Sequence, residues 1–110
     1  MYKIKGSVWI EGDRGAFIGT GRVMLLEKIK ELGSITVAAK SMKMSYRHAW
    51  ELIDSMNKQA KSPLVEATSG GVGGGGTKIT KEGEKAIILF RDLQKRFHKF
   101  NEEESKRIKL

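Results

Sequence analysis

Tyr46, Arg47, His48, Trp50 and Glu51 fall within six consecutive positions, immediately after Ser45. Together they offer a phenol, a guanidinium, an imidazole, an indole N–H and a carboxylate, groups that hydrogen-bond base edges and phosphates. Arg47 is the first candidate for direct base contact, because a guanidinium can donate twice to guanine; the alternative is a solvated arginine on a helix surface. Tyr46 can reach a phosphate or stack on a sugar, and burial against a neighbouring element is an equal reading. His48, close to a helix start, can donate to a phosphate. His98 is the only other histidine and no ligand spacing links the two, so no metal is expected. Trp50 flanks an apolar face; core packing is the favoured reading, with its indole N–H meeting a ligand at the edge.

A second constellation runs from Ser69 to Lys78. Gly70, Gly71, Gly73, Gly74, Gly75 and Gly76 occupy six of seven positions, with Ser69, Thr77 and Lys78 as flanking donors. So many glycines are entropically unfavourable in a purely structural turn. They permit close backbone approach to a ligand, and their N–H groups can form an anion-binding concavity suited to a phosphate. A floppy solvated loop is the bland alternative. Gly71, Gly73 and Gly76 also match a dinucleotide fingerprint, but any glycine run does. A nucleotide P-loop needs Gly-Lys-Ser/Thr, whereas here the order is Gly76-Thr77-Lys78.

The elements that must hold these side chains can be read from periodicity and caps. Residues 34–56 have helix-turn-helix spacing. Ser34 can cap a short helix carrying Ala38 and Ala39, small enough for two helices to cross closely. A turn follows near Lys43–Met44, and Ser45 can cap a second helix with Ala49, Ile53 and Met56 on one face. Tyr46, Arg47, His48, Glu51 and Ser55 fall on the opposite face. Ser34 and Thr36 begin the first helix, whose N-terminus suits a phosphate; capping alone is the other reading of Ser34. Lys58 and Lys61 read as solvated charges.

Around this unit, Tyr2–Ile10 alternates as a strand, Glu11–Gly15 reads as a turn and Ala16–Ile18 as a return strand, giving a hairpin over 2–19. A helix with Val23, Leu26, Ile29 and Leu32 starts at Thr20 or Gly21 and is closed by Gly33. Helices over 21–61 end before Pro63. Leu64–Thr68 and Thr77–Thr80 pair as a wing over 64–80, and a last helix runs from Lys81 to Phe100 or beyond. The expected fold is α+β, mainly α: a winged helix-turn-helix with an N-terminal β-hairpin and a C-terminal dimerisation helix, all in one domain over 1–110.

The dimerisation expectation comes from Ala86, Phe90, Leu93, Phe97 and Phe100, spaced as the a/d seam of paired helices. Phe90, Leu93, Phe97 and Phe100 would meet a second copy; a monomeric helix folding back on the hairpin is the alternative. The run after Asn101 reads as a frayed end.

Composition agrees with a polyanionic partner. The 110 residues carry a net charge of +8, with the excess spread over 1–33, 34–62 and 81–110 rather than gathered in a tail. That favours nucleic acid over membrane. There is no cysteine, so thiolate and disulfide chemistry are excluded. No apolar run reaches the ~20 residues of a spanning helix, and no signal peptide opens the chain, so a cytoplasmic location is expected. No paired acid and base, nucleophile–base pair or metal set is visible; binding rather than catalysis is expected, with no cofactor.

Residues from Gly21 to about Leu89 resemble the N-terminal DNA-binding domain of ModE, the molybdate-responsive repressor family, itself similar to LysR-type readers. Gly33-Ser34-Ile35, Ala38-Ala39, Met44 through Trp50, Met56-Asn57, Leu64-Val65-Glu66 and the glycine tract ending in Thr-Lys-Ile-Thr carry the resemblance. It implies a dimeric transcriptional regulator on double-stranded DNA at an inverted repeat. The helix starting at Ser45 would enter the major groove, and the glycine wing would track the adjacent backbone. The oxyanion-binding domains of that family have no counterpart in these 110 residues, so molybdate sensing is not carried over. Any effector would act through a separate partner, the dimer interface or protein level. A partner-dependent or architectural module on the same fold is the alternative.

Overall fold

Local signals set most of the helix boundaries in the computed structural model, which describes residues 1–68 and 76–110. The order is β1 Ile10–Gly12, β2 Gly15–Ile18, α1 Thr20–Leu32, α2 Ile35–Ser41, α3 Tyr46–Gln59, β3 Val65–Ala67, β4 Thr77–Ile79 and α4 Lys81–Ser105. This is a winged helix-turn-helix, mainly α, with a leading hairpin and a long closing helix. Gly33 ends α1 at φ 68°, a left-handed conformation that favours glycine. Thr80 caps α4, its Oγ1 accepting from Gly83 N at 3.0 Å and donating to Pro63 O at 2.7 Å. Gly83 is required there: a Cβ would lie 2.2 Å from Leu64 O.

Val23, Leu25, Leu26 and Ile29 of α1 are fully enclosed by Ala38 and Ala39 of α2, Ala49, Ile53 and Met56 of α3, and Phe90 of α4. Leu64, Val65 and Ile18 close the core from the wing and hairpin. Arg91 Nε donates to Glu27 Oε2 at 3.0 Å, fastening α4 to α1; that hydrogen bond is the main cause holding its guanidinium above the usual range.

Four expectations need correction. Tyr2–Trp9 joins no strand pairing among the described residues; β1 starts only at Ile10, because β2 is too short to reach further back. Glu11 and Gly12 belong to the strand, and the turn shrinks to Asp13–Arg14, with Gly15 at φ 98°. Helix α3 stops at Gln59 rather than continuing towards Pro63, with Ala60 already extended. The end of α4 is not frayed at Asn101 but helical to Ser105, where Ser105 Oγ donates to Asn101 O at 2.6 Å and accepts from Ile4 N at 2.8 Å.

Phe90 is the clearest correction within the expected dimer seam. It is 0% exposed, filled round by its own chain, and has no surface left for a second copy. Leu93 and Phe97 are half-buried, and Phe100 is 59% exposed. The molecule measures 64 × 28 × 21 Å with a radius of gyration of 16.7 Å, against ~13 Å for a compact chain of this length. The distal half of α4, with residues 1–9 beside it, forms an arm projecting from the winged-helix body.

Candidate nucleic-acid interface

Two serine caps fix where the two helices of the motif begin. Val37 N donates to Ser34 Oγ at 3.2 Å, and His48 N donates to Ser45 Oγ at 3.1 Å. Between them, Met42 N and Met44 N both donate to Ala39 O, and Lys43 takes φ 57°. This tight turn sets α3 across α2. With Ala49, Ile53 and Met56 buried, the opposite face of α3 is forced outward.

That face holds Tyr46, Arg47, His48, Trp50 and Glu51, all exposed. Tyr46 is 52% exposed and Trp50 48%, so Trp50 is not a core residue: the face used for packing is narrow, and position 50 lies just outside it. Arg47 Nε donates to Glu51 Oε1 at 3.2 Å, with the arginine side chain 88% exposed. A pair this exposed contributes only ~0.3–0.5 kcal/mol, so Arg47 can exchange Glu51 for another acceptor. Thr36 is exposed at the start of α2, and Ser34 is half-buried by its capping role. Ser55 is drawn away from the exposed set: it accepts from Arg22 Nη1 at 3.0 Å and Gln59 Nε2 at 3.3 Å. Burial pulls the Arg22 guanidinium below its ordinary range. Gln59 Nε2 also donates to Ala16 O at 3.0 Å, so these polar links seat the hairpin on α3.

The wing root carries the remaining candidates among the described residues. Strands β3 and β4 are antiparallel, with Glu66 opposite Lys78 and the two charges 3.5 Å apart. Lys78 is exposed and Thr77 half-buried. Thr77 N donates to Gly33 O at 3.0 Å, tying β4 to the end of α1, and Gly76 N donates to Thr68 Oγ1 at 2.7 Å. A Cβ on Gly76 would stand 2.9 Å from Gly33 O, so this glycine serves packing. Ser69, Gly70, Gly71, Gly73, Gly74 and Gly75 lie outside the described residues.

Sequence reasoning missed the residue that joins the two halves of the interface. Asn57, on the half-buried side of α3, accepts at Oδ1 from Leu64 N (2.9 Å) and Val65 N (3.3 Å) and donates from Nδ2 to Val65 O (2.9 Å). One side chain thereby locks the recognition helix to the first wing strand. An asparagine in the last turn of a helix, close ahead of a strand, was the available signal. Among the described residues, no group of three or more His, Cys, Asp or Glu could hold a metal ion, and no helix is long and apolar enough to cross a membrane.

A capped recognition helix with a polar outer face, locked to a wing, is the architecture of a winged helix-turn-helix DNA reader. The profile of bacterial regulatory helix-turn-helix proteins of the lysR family matches residues 21–84, and the chain belongs to that family. It is 41% identical over 85 residues to the molybdenum transport protein ModE of Azotobacter vinelandii, covering 77% of this chain and 32% of that protein. It is likewise 41% identical over 86 residues to the transcriptional regulator ModE of Haemophilus influenzae, covering 78% and 34%. The DNA-binding transcriptional dual regulator ModE of Escherichia coli is 40% identical over 74 residues, covering 67% and 28%. The chain spans about a third of the length of the curated relatives it matches.

Proposed function

We propose that this chain is a sequence-specific, ModE-like transcriptional regulator that binds an inverted-repeat operator as a homodimer in the cytoplasm. The observation that carries the reading is the outward face of α3, where Tyr46, Arg47, His48, Trp50 and Glu51 are exposed together on a helix whose other face is core. Helix α3 enters the major groove. Arg47 supplies base choice, Ser45 and His48 stand near the phosphates, and Tyr46 and Trp50 lie along the groove edge. Ser34 and Thr36 approach a phosphate at the start of α2, while Lys78, Thr77 and the glycine tract from Ser69 to Gly76 follow the adjacent backbone. The +8 net charge adds sequence-independent, salt-sensitive affinity.

A dimer places two copies of α3 in successive major grooves ~34 Å apart, matching the two-fold symmetry of an inverted repeat. Leu93, Phe97 and Phe100 on the arm are the surface for that contact, with Phe90 supporting the helix from inside. Relatives named for molybdenum make genes of molybdenum or tungsten handling the first targets to examine. The chain acts by binding DNA.

Selection of genomic fragments by the purified chain at two salt concentrations tests this. Recovery of an inverted repeat that persists at the higher salt is the expected result. Weak, sequence-blind binding erased by salt would replace the reading with an architectural or partner-dependent module.

A further inference from the structure

Residues 2–9, which lead into β1 at Ile10, have the composition and alternation of a strand, yet they pair with no strand among the described residues. Tyr2, Ile4, Val8 and Ile10 fall on one side of the alternation, and Lys3, Lys5, Ser7 and Trp9 on the other. Residues 1–9 make no backbone–backbone hydrogen bond to any described residue, and residues 1–7 are all exposed. The segment is nevertheless held in place. Ile4 N donates to Ser105 Oγ at 2.8 Å, the Tyr2 hydroxyl donates to Leu110 O at 3.2 Å, and a Cβ on Gly6 would touch the Phe97 ring at 3.5 Å. A cleft of about 580 Å³ runs between it and the distal part of α4, bordered by Ile4, His98 and Asn101.

We propose that this segment is the strand of an intermolecular antiparallel ribbon, and that its partner is the same segment of a second copy. The inference rests on the dimeric reading above and names the part of the chain that builds the dimer. Along an extended chain successive N–H groups point to alternate edges. The edge bearing the Ile4 N–H faces α4, so the edge bearing the N–H groups of Lys3, Lys5, Ser7 and Trp9 is open. An open edge of this length recruits another strand.

The sequence is complementary to itself about Gly6. In the antiparallel register with Gly6 facing Gly6, Lys5 faces Ser7, Lys3 faces Trp9, Ile4 faces Val8 and Tyr2 faces Ile10. Apolar side chains meet on one side. On the other, no lysine meets a lysine, and each Lys3 ammonium comes within reach of an indole face. Moving the centre back to Lys5 stacks Lys5 on Lys5. Moving it on to Ser7 sets Tyr2 against Gly12 and Val8 against Gly6, so two apolar pairings are lost. The Gly6 register also makes Lys5–Ser7 and Lys3–Trp9 the hydrogen-bonded pairs, which are the residues whose N–H groups are open. Gly6 then sits in a non-hydrogen-bonded pair, where Cα atoms approach to ~4.5 Å. Because Gly6 lies against Phe97, the two-fold axis brings together two copies of α4 and buries the exposed Phe100 between the arms.

The chain contains no cysteine, so single introduced thiols report the register directly. Gly6→Cys is expected to form a disulfide-linked dimer under mild oxidation, since its Cβ has room and its partner is itself; Lys3→Cys, which faces Trp9, is expected to remain unlinked. Lys5→Pro deletes a donor from the open edge at an exposed position. It should raise the dimer dissociation constant at least ~10-fold in sedimentation, with the circular dichroism spectrum unchanged. Unchanged dimerisation of Lys5→Pro, or linkage through Ser7→Cys in place of Gly6→Cys, overturns the ribbon while leaving the dimer reading intact. A wild-type chain that sediments as a monomer, free and on an inverted repeat, removes the dimer reading and the ribbon with it.

Discussion

The outer face of α3 and the arm are both exposed, but they expose opposite kinds of chemistry. On α3 the exposed set is polar or amphipathic, and the backbone beneath it is capped by Ser45 and satisfied within the helix. On the arm the exposed set includes Phe100, Ile4 and Tyr2, and residues 1–9 leave their backbone largely without protein partners. A finished scaffold presenting side-chain donors suits a rigid, charged ligand, because little reorganises on contact. Apolar side chains beside an open strand edge suit another polypeptide, because only a polypeptide supplies both apolar cover and backbone bonds. Under the proposed reading, the two ends of the molecule serve two kinds of partner.

The largest effect that could break this division lies inside α4, where one aromatic supports the body and another only the arm. Phe90→Ala should open a cavity at the centre of the core and lower stability by ~3–5 kcal/mol, read as a large fall in the chemical denaturation midpoint. Phe100→Ala should leave the unfolding of the isolated monomer within about 0.5 kcal/mol of wild type while weakening self-association in sedimentation. Equal losses of stability from the two variants would mean that the arm is part of the body.

Phe90 and Phe100 also show what the sequence could reveal. Their spacing puts them on one expected seam of the helix, but periodicity carries no information on where the neighbouring body stops. The same limit applies to Trp50, whose neighbours on α3 are core and which is not. The caps were legible because they are local: Ser34, Ser45 and Gly33 each act within a few residues of themselves. The alternation of Tyr2–Ile10 led to an expected strand of which only Ile10 lies in β1, because the return strand ends at Ile18 and leaves nothing in the hairpin to pair with Tyr2–Trp9. Asn57 was the hardest to see, because its role lies in bonds to Leu64 and Val65 that exist only once helix and strand have met.

Asn57 supplies the next test, on the reading side of the comparison. Asn57→Ala leaves two N–H groups and a carbonyl at the base of β3 without their partner, at a cost of roughly 3 kcal/mol, the upper end for half-buried groups. Because α3 keeps its cap and outer face, the variant should still fold and bind DNA. Hydroxyl-radical footprints should lose protection where the wing follows the backbone, while methylation protection of guanine N7 in the major groove persists. A footprint that weakens evenly would show that Asn57 only stabilises the fold and does not hold the wing in register with the helix.

The smallest effects separate the two roles within the α3 and wing surface itself. Arg47 and Lys78 are both exposed cations, each beside a carboxylate, Glu51 at 3.2 Å and Glu66 at 3.5 Å, so their local electrostatics are alike. They differ in the element that carries them. Arg47 stands in the first turn of α3, and its planar fork matches a guanine edge; Lys78 stands on the wing as a point charge suited to a phosphate. Arg47→Ala should lose ~1–3 kcal/mol on the preferred site and much less on unrelated DNA, relaxing the choice of base. Lys78→Ala should weaken every sequence alike and lower the salt dependence of binding by about one counterion. Binding isotherms at several salt concentrations on a preferred and an unrelated duplex measure both. If Arg47→Ala reduced affinity uniformly and changed only the salt slope, α3 would be a phosphate contact like the wing, and base choice would have to come from DNA shape.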